Sequence, residues 1–142
     1  MFNIVVIKTI LDVAESLLRM SEQLCSAGLQ RRNEMSVLFE KIGNCLAKVS
    51  KEIGAGGVPH ALCDELVEYA QGFPALLRKE VGNVPADELG DTLQSAFSML
   101  CVAMDLRQVK DPQDKERYLA LIDEASDRFH TLAKSVSLFG RN

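Results

Sequence analysis

Ala96-Phe97-Ser98-Met99-Leu100-Cys101-Val102-Ala103-Met104-Asp105-Leu106 is the stretch whose reading decides the fold. It lies in a segment running from about Pro85 to Val109, with no charged residue between Asp91 and Asp105. Leu89, Leu93, Phe97, Leu100 and Met104 recur three and four apart and make one helical stripe. Met99, Val102, Leu106 and Val109 make a second. A surface helix carries one apolar stripe, whereas a helix apolar nearly all round packs against neighbours on most sides. The spacing therefore predicts an all-α fold, a helical bundle with this element at its hub.

Outward from that element, helical periodicity recurs in both directions. On the carboxyl side, Asp111-Pro112 carries a strong helix start: a capping Asp, Pro at the first position, and Asp114 and Glu116 at the positive dipole end. Tyr118, Ile122, Ala125, Phe129, Leu132, Ala133 and Val136 form its core stripe, and Gly140 is expected to close it. On the amino side, Leu62, Leu66, Tyr69, Ala70, Phe73, Leu77 and Val81 keep helical spacing after Pro59, with Pro74 inside the pattern. A proline there removes one backbone hydrogen bond and clashes with the carbonyl of Ala70, so a kink or break is expected near Gly72-Phe73. Gly82-Asn83 is expected to end this helix, and Val84-Pro85 to open the next.

The cleanest pattern spans Asn33 to Ile53, where Met35, Leu38, Phe39, Ile42, Cys45, Leu46, Val49 and Ile53 share a face. Gly54-Ala55-Gly56-Gly57 ends it. This glycine stretch follows a helix and leads into Val58-Pro59-His60. A dinucleotide loop follows a strand, and a P-loop closes on Lys and Ser or Thr, so the context reads as an interhelix turn. Ile4, Ile7, Leu11, Ala14 and Leu18 predict an amino-terminal helix. Gly28 is expected to stop it, and Asn33 to cap the helix that follows. The expected architecture is an up-and-down bundle of four long helices plus the amino-terminal one. It forms a single domain over residues 1–142 in which residues 1–27 are a separable helix.

The chain of 142 residues is long enough to bury roughly 68–70% of its unfolded surface without staples. Its net charge of −4, absence of Trp and 6% aromatic content argue against nucleic acid, which asks for basic stripes and stacking platforms. The basic pairs Arg31-Arg32 and Arg78-Lys79 are short and far apart. Cys25, Cys45, Cys63 and Cys101 form no CxxC pair, so thiols in a reducing cytoplasm are the expected state, although an even count leaves disulfides open. Met1 to Leu18 is interrupted by Lys8, Asp12 and Glu15, which disfavours a membrane span, and it lacks the basic region of a signal peptide. A peripheral membrane contact through this helix stays open.

His60 and Cys63, three apart on one face, with Cys45 reaching from the preceding helix, are the nearest thing to a metal constellation. Zinc takes about four ligands and only these three can be named, while cysteines in apolar stripes behave as small buried hydrophobes. A di-iron bundle needs Glu-x-x-His on two helices. The sequence offers only Asp127-Arg128-Phe129-His130, and His130 reads as a surface residue near Asp127. No motif pairs a Ser or Cys nucleophile with a His and an orienting acid. No catalysis, metal or cofactor is expected.

Lys41-Ile42-Gly43-Asn44-Cys45-Leu46, then Gly57-Val58-Pro59-His60, Cys63 and Leu66, resembles small helical modules of bacterial, particularly cyanobacterial, signalling proteins. Some of these accompany STAND-type or NACHT-type ATPases as accessory interaction domains. The resemblance covers about the middle third of the chain and implies a protein–protein interaction role without catalysis. The residues themselves point the same way through surplus apolar surface on the first helix (Ile4, Ile7, Leu11) and on the second stripe (Met99, Val102, Leu106, Val109). Such patches usually mark partner surfaces, for another protein or a second copy. If the first helix covers the second stripe the core closes with five helices, and that is the expected outcome.

Overall fold

Asp111 starts its helix in the expected way. Its backbone is extended and its Oδ1 accepts from the N–H of Gln113 at 2.9 Å, with Pro112 at the first helical position. The structure is a computed structural model that describes residues 2–103 and 111–137. Among these the chain forms helices and their connections: α1 (Phe2–Arg19), α2 (Ser21–Leu24), α3 (Leu29–Gly54), α4 (His60–Gln71), α5 (Phe73–Val81), α6 (Asn83–Ala103) and α7 (Pro112–Val136). The fold is all-helical.

Local chemistry explains most of the boundaries. Gly72 separates α4 from α5, with Pro74 in the first turn of α5, so the expected break falls there. The break also permits a close crossing: a Cβ on Gly90 of α6 would lie 3.0 Å from Cδ of Pro74. Gly82 turns the chain from α5 into α6 with φ +94°, a conformation that L side chains rarely adopt. The entry to α6 is therefore at Asn83, two residues before Pro85. Two sequence expectations fail at the start of α3. Gly28 is its extended N-terminal flank (φ −62°, ψ 164°), not the stop of the preceding helix, and Asn33 lies inside α3 instead of capping it. Gly serves as an N-cap almost as well as a side-chain cap does, so a later Asn was not required. Meanwhile α1 ends at Arg19, and α2 is a single extra turn in the connection.

The helices close a ring. Helix α6 packs on α1, α4 and α5; α1 packs also on α7; α7 on α3; and α3 on α4. Neither α1 with α3 nor α6 with α7 makes an extended contact among the described residues. The amino-terminal helix is thus wedged between α6 and α7 as a full wall of the ring. Phe39, Phe73, Phe97 and Phe129, one from each of α3, α5, α6 and α7, are fully buried inside. Phe39 and Phe73 meet edge to face at 5.7 Å and 75°, because the α4–α5 break turns Phe73 inward. Burying side chains of this size contributes about 1.5–3 kcal/mol each, and that is what holds the ring shut.

The hub expectation needs correction. Leu93, Ala96, Phe97 and Leu100 of α6 are buried, but Asp91, Thr92, Ser95, Ser98 and Met99 are exposed. Helix α6 is one wall of the ring, with a free outer face. The uncharged run was read as apolar, yet Thr92, Ser95 and Ser98 are small polar groups that water accommodates at no cost. Of the second stripe, Met99 stays 41% exposed beside α1. Val102, Leu106 and Val109 lie outside the residues whose side chains are described.

Candidate interaction surface

The seam between α1 and α6 is antiparallel: Val5 and Met99 line one end, Met20 and Pro85 the other. Two shallow clefts of about 360 and 440 Å³ share Thr9 and Thr92, so they form one continuous groove. Val5, Met20, Pro85, Leu89 and Met99 are its accessible apolar side chains, over a floor of buried Val6, Val13 and Ala96. Helical geometry puts Val5 there, since the α1 face that serves the core is taken by Ile7, Ile10, Ala14 and Leu17, leaving Val5 62% exposed. Asp12, Glu88 and Asp91 stand along the same groove, and among the described residues no Lys, Arg or His lines it. Among the described residues, no side-chain hydrogen bond or ion pair joins α1 to α6. Apolar packing alone holds this seam.

The interaction residues expected on α1 are placed differently. Ile7 and Leu11 are buried in the core and present no surface, and Ile4 is half-buried against it. They form the inward stripe of α1; the free apolar surface comes from Val5, on the opposite flank. Helix α1 is amphipathic enough to be counted apolar as a whole, and the ring consumes its strongest face.

The opposite side of the ring is tied by polar contacts. Helices α3 and α7 run antiparallel, stitched by hydroxyls onto backbone carbonyls. The Oγ of Ser126 donates to the carbonyl of Gly43 at 2.7 Å, and the Oγ of Ser36 to that of Ala133 at 2.9 Å. Arg32 donates to the carbonyls of Val136 and Ser137 at 3.1 and 3.3 Å, satisfying acceptors that the end of α7 leaves without helical partners. His130 is half-buried and lines an open cleft with Asp127, and it also makes contacts across to α3. Its ring lies flat on Gly43, where a Cβ would come within 2.7 Å, and its Nε2 is 2.8 Å from Oδ1 of Asn44. A polar cleft of about 480 Å³ runs beside it, lined by Glu40, Asp127, Thr131 and Lys134 among others. Small residues carry the signal that sequence reasoning passed over. Ser36, Gly43 and Ser50 on α3, and Ser126 and Ala133 on α7, recur seven apart, two helical turns on one face.

The metal candidates do not converge on an ion site. Cys45 and Cys63 are buried and His60 is exposed. Among the described residues, no group of three or more His, Cys, Asp or Glu is placed to hold a metal ion. The Sγ of Cys45 donates to the carbonyl of Leu62 at 3.3 Å and lies 3.8 Å from Oε2 of Glu65. Burial, with the negative charge of Glu65 behind it, pushes this thiol up to about 12. Metals and electrophiles take the thiolate, so Cys45 is held in its inert form at neutral pH.

Arg31, Arg32 and Arg78 of the two basic pairs have intramolecular partners. Arg31 pairs with the buried carboxylate of Glu80, tying α3 to α5, and Arg78 pairs with Asp87 at 2.9 Å. No helix among the described residues is long and apolar enough to cross a membrane. Comparison with known families, curated proteins and solved structures finds no match to this chain.

Proposed function

We propose that this chain is a non-catalytic, cytoplasmic helical interaction module whose working surface is the α1–α6 groove. One observation carries the reading: Val5 and Met99, 62% and 41% exposed, flank a groove that runs along the α1–α6 seam. Exposed apolar side chains along a groove fit the packing of a partner helix. The resemblance of the Lys41–Leu46 and Gly57–His60 stretches to accessory modules of bacterial signalling proteins agrees with such a role, as does the finer description of the ring as an up-and-down bundle with an added amino-terminal helix. A membrane contact through α1 is the weaker alternative, because Ile7, Ile10, Leu11 and Leu17, the face it would insert, are buried within the chain.

A photo-crosslinking residue placed at position 5 or 99 tests this in the cells that make the protein, with position 124 on the exposed part of α7 as control. The reading expects discrete protein adducts, to a partner or to a second copy, from positions 5 and 99 and none from 124. Equal labelling from all three, or none from the groove, contradicts it.

A further inference from the structure

The α6 side of the groove carries only acidic charge. Helix α6 has no Lys or Arg anywhere between Asn83 and Ala103, while it carries Asp87, Glu88 and Asp91. Asp87 is engaged by Arg78. Glu88 and Asp91, together with Asp12 across the seam, are exposed and make no ion pair among the described residues. Three carboxylates without an ion pair therefore border the groove, and among the described residues no basic side chain lines it. They are spread along it: Asp91 is in the cleft with Val5 and Met99, and Asp12 and Glu88 are in the cleft with Met20 and Pro85.

Length constrains the occupant as well. From Val5 to Met20 along α1 is about 22 Å at 1.5 Å per residue, the span of about four helical turns. A second copy docked through the same groove about a two-fold axis would set acids against acids, which is destabilising.

Resting on the reading of this groove as the working surface, we infer that its occupant is a cationic amphipathic helix of about 15 residues from another protein. Its apolar stripe meets Val5, Leu89 and Met99, and Lys or Arg on the stripe's flanks meet Asp12, Glu88 and Asp91. Apolar contact supplies the affinity; the carboxylates set the orientation and reject acidic helices.

The test uses the full chain and three synthetic helical peptides of 15 or so residues, followed by fluorescence anisotropy and by amide chemical shifts. One peptide has a Leu stripe flanked by Lys, one the same stripe flanked by Glu, and one the first composition scrambled to destroy the stripe. The Lys-flanked peptide is expected to bind and to shift Thr9, Thr92 and Ser95, with affinity falling as salt rises. The triple variant Asp12→Asn, Glu88→Gln, Asp91→Asn is expected to weaken it about tenfold, since exposed pairs are individually modest. Replacing Met99 by Glu is expected to abolish binding. Equal binding of the Glu-flanked or scrambled peptide, an affinity unchanged in the triple variant, or shifts confined to another face would each overturn the inference. Crosslinks from positions 5 and 99 to an acidic partner or a second copy would overturn it while leaving the groove's role standing. Silence at those positions would remove both.

Discussion

The two long seams of this ring are built on opposite terms. Between α3 and α7, small residues let the backbones approach, Ser126 and Ser36 reach across to carbonyls, and His130 covers Gly43. Between α1 and α6, apolar packing closes the inner half, and no side-chain hydrogen bond or ion pair spans the outer half among the described residues. The hydroxyls that cross the α3–α7 seam are satisfied by carbonyls of the facing helix, which makes the pairing specific. A seam held by its inner apolar residues leaves an open outer edge, the surface proposed for a partner helix. On the proposed function, the difference puts stability on one side of the molecule and recognition on the other.

Substitutions can break that division, and they rank by size. Phe129→Ala, in the core behind the α3–α7 seam, should lower unfolding free energy by about 3–5 kcal/mol in chemical denaturation. Gly43→Ala should cost about 1–3 kcal/mol, because the new Cβ displaces the His130 ring and exceeds the ~1 kcal/mol that Ala gains in helix propensity. Adding His130→Ala should recover much of that loss, and additive costs in the double variant would show that the ring is not what fills the space. Ser126→Ala should cost about 1 kcal/mol by removing one buried cross-helix hydrogen bond. On the open side, Met99→Glu should change stability by less than about 0.5 kcal/mol.

Cys45 sharpens the contrast through pH. Its thiol is raised from 9.0 to about 12 by burial and by Glu65, so the folded state holds the proton more tightly than the unfolded chain. The sign follows: this contribution is fully present below pH 9.0 and is lost as pH rises toward about 12. Cys45→Ala should flatten the alkaline decline in a denaturation series run across that window. An unchanged slope would place the decline on other groups.

Much of the ring was legible in the sequence because buried stripes repeat every three or four residues. Each core position read on α7, from Tyr118 to Val136, is buried, and Pro74 marks a real break. The start of α3 was misread because Gly28 serves either end of a helix and Asn33 offers a cap that was not needed. The surface of α1 was misread for a different reason. Ile4, Ile7 and Leu11 are its most regular apolar set, and regularity marks the face the chain uses itself, leaving the odd residue, Val5, for outside. His130 and Gly43 were missed because their meeting depends on two helices 86 residues apart in sequence at His130 and Asn44, which periodicity within one helix does not report.

The most direct measurement is a paired one: the thermal midpoint and the yield of adduct from a crosslinker at position 5, for Met99→Glu and Ser126→Ala side by side. The account predicts a double dissociation, with Met99→Glu losing the adduct at an unchanged midpoint and Ser126→Ala lowering the midpoint with the adduct retained. A Met99→Glu protein that melts early yet keeps its adduct would contradict it.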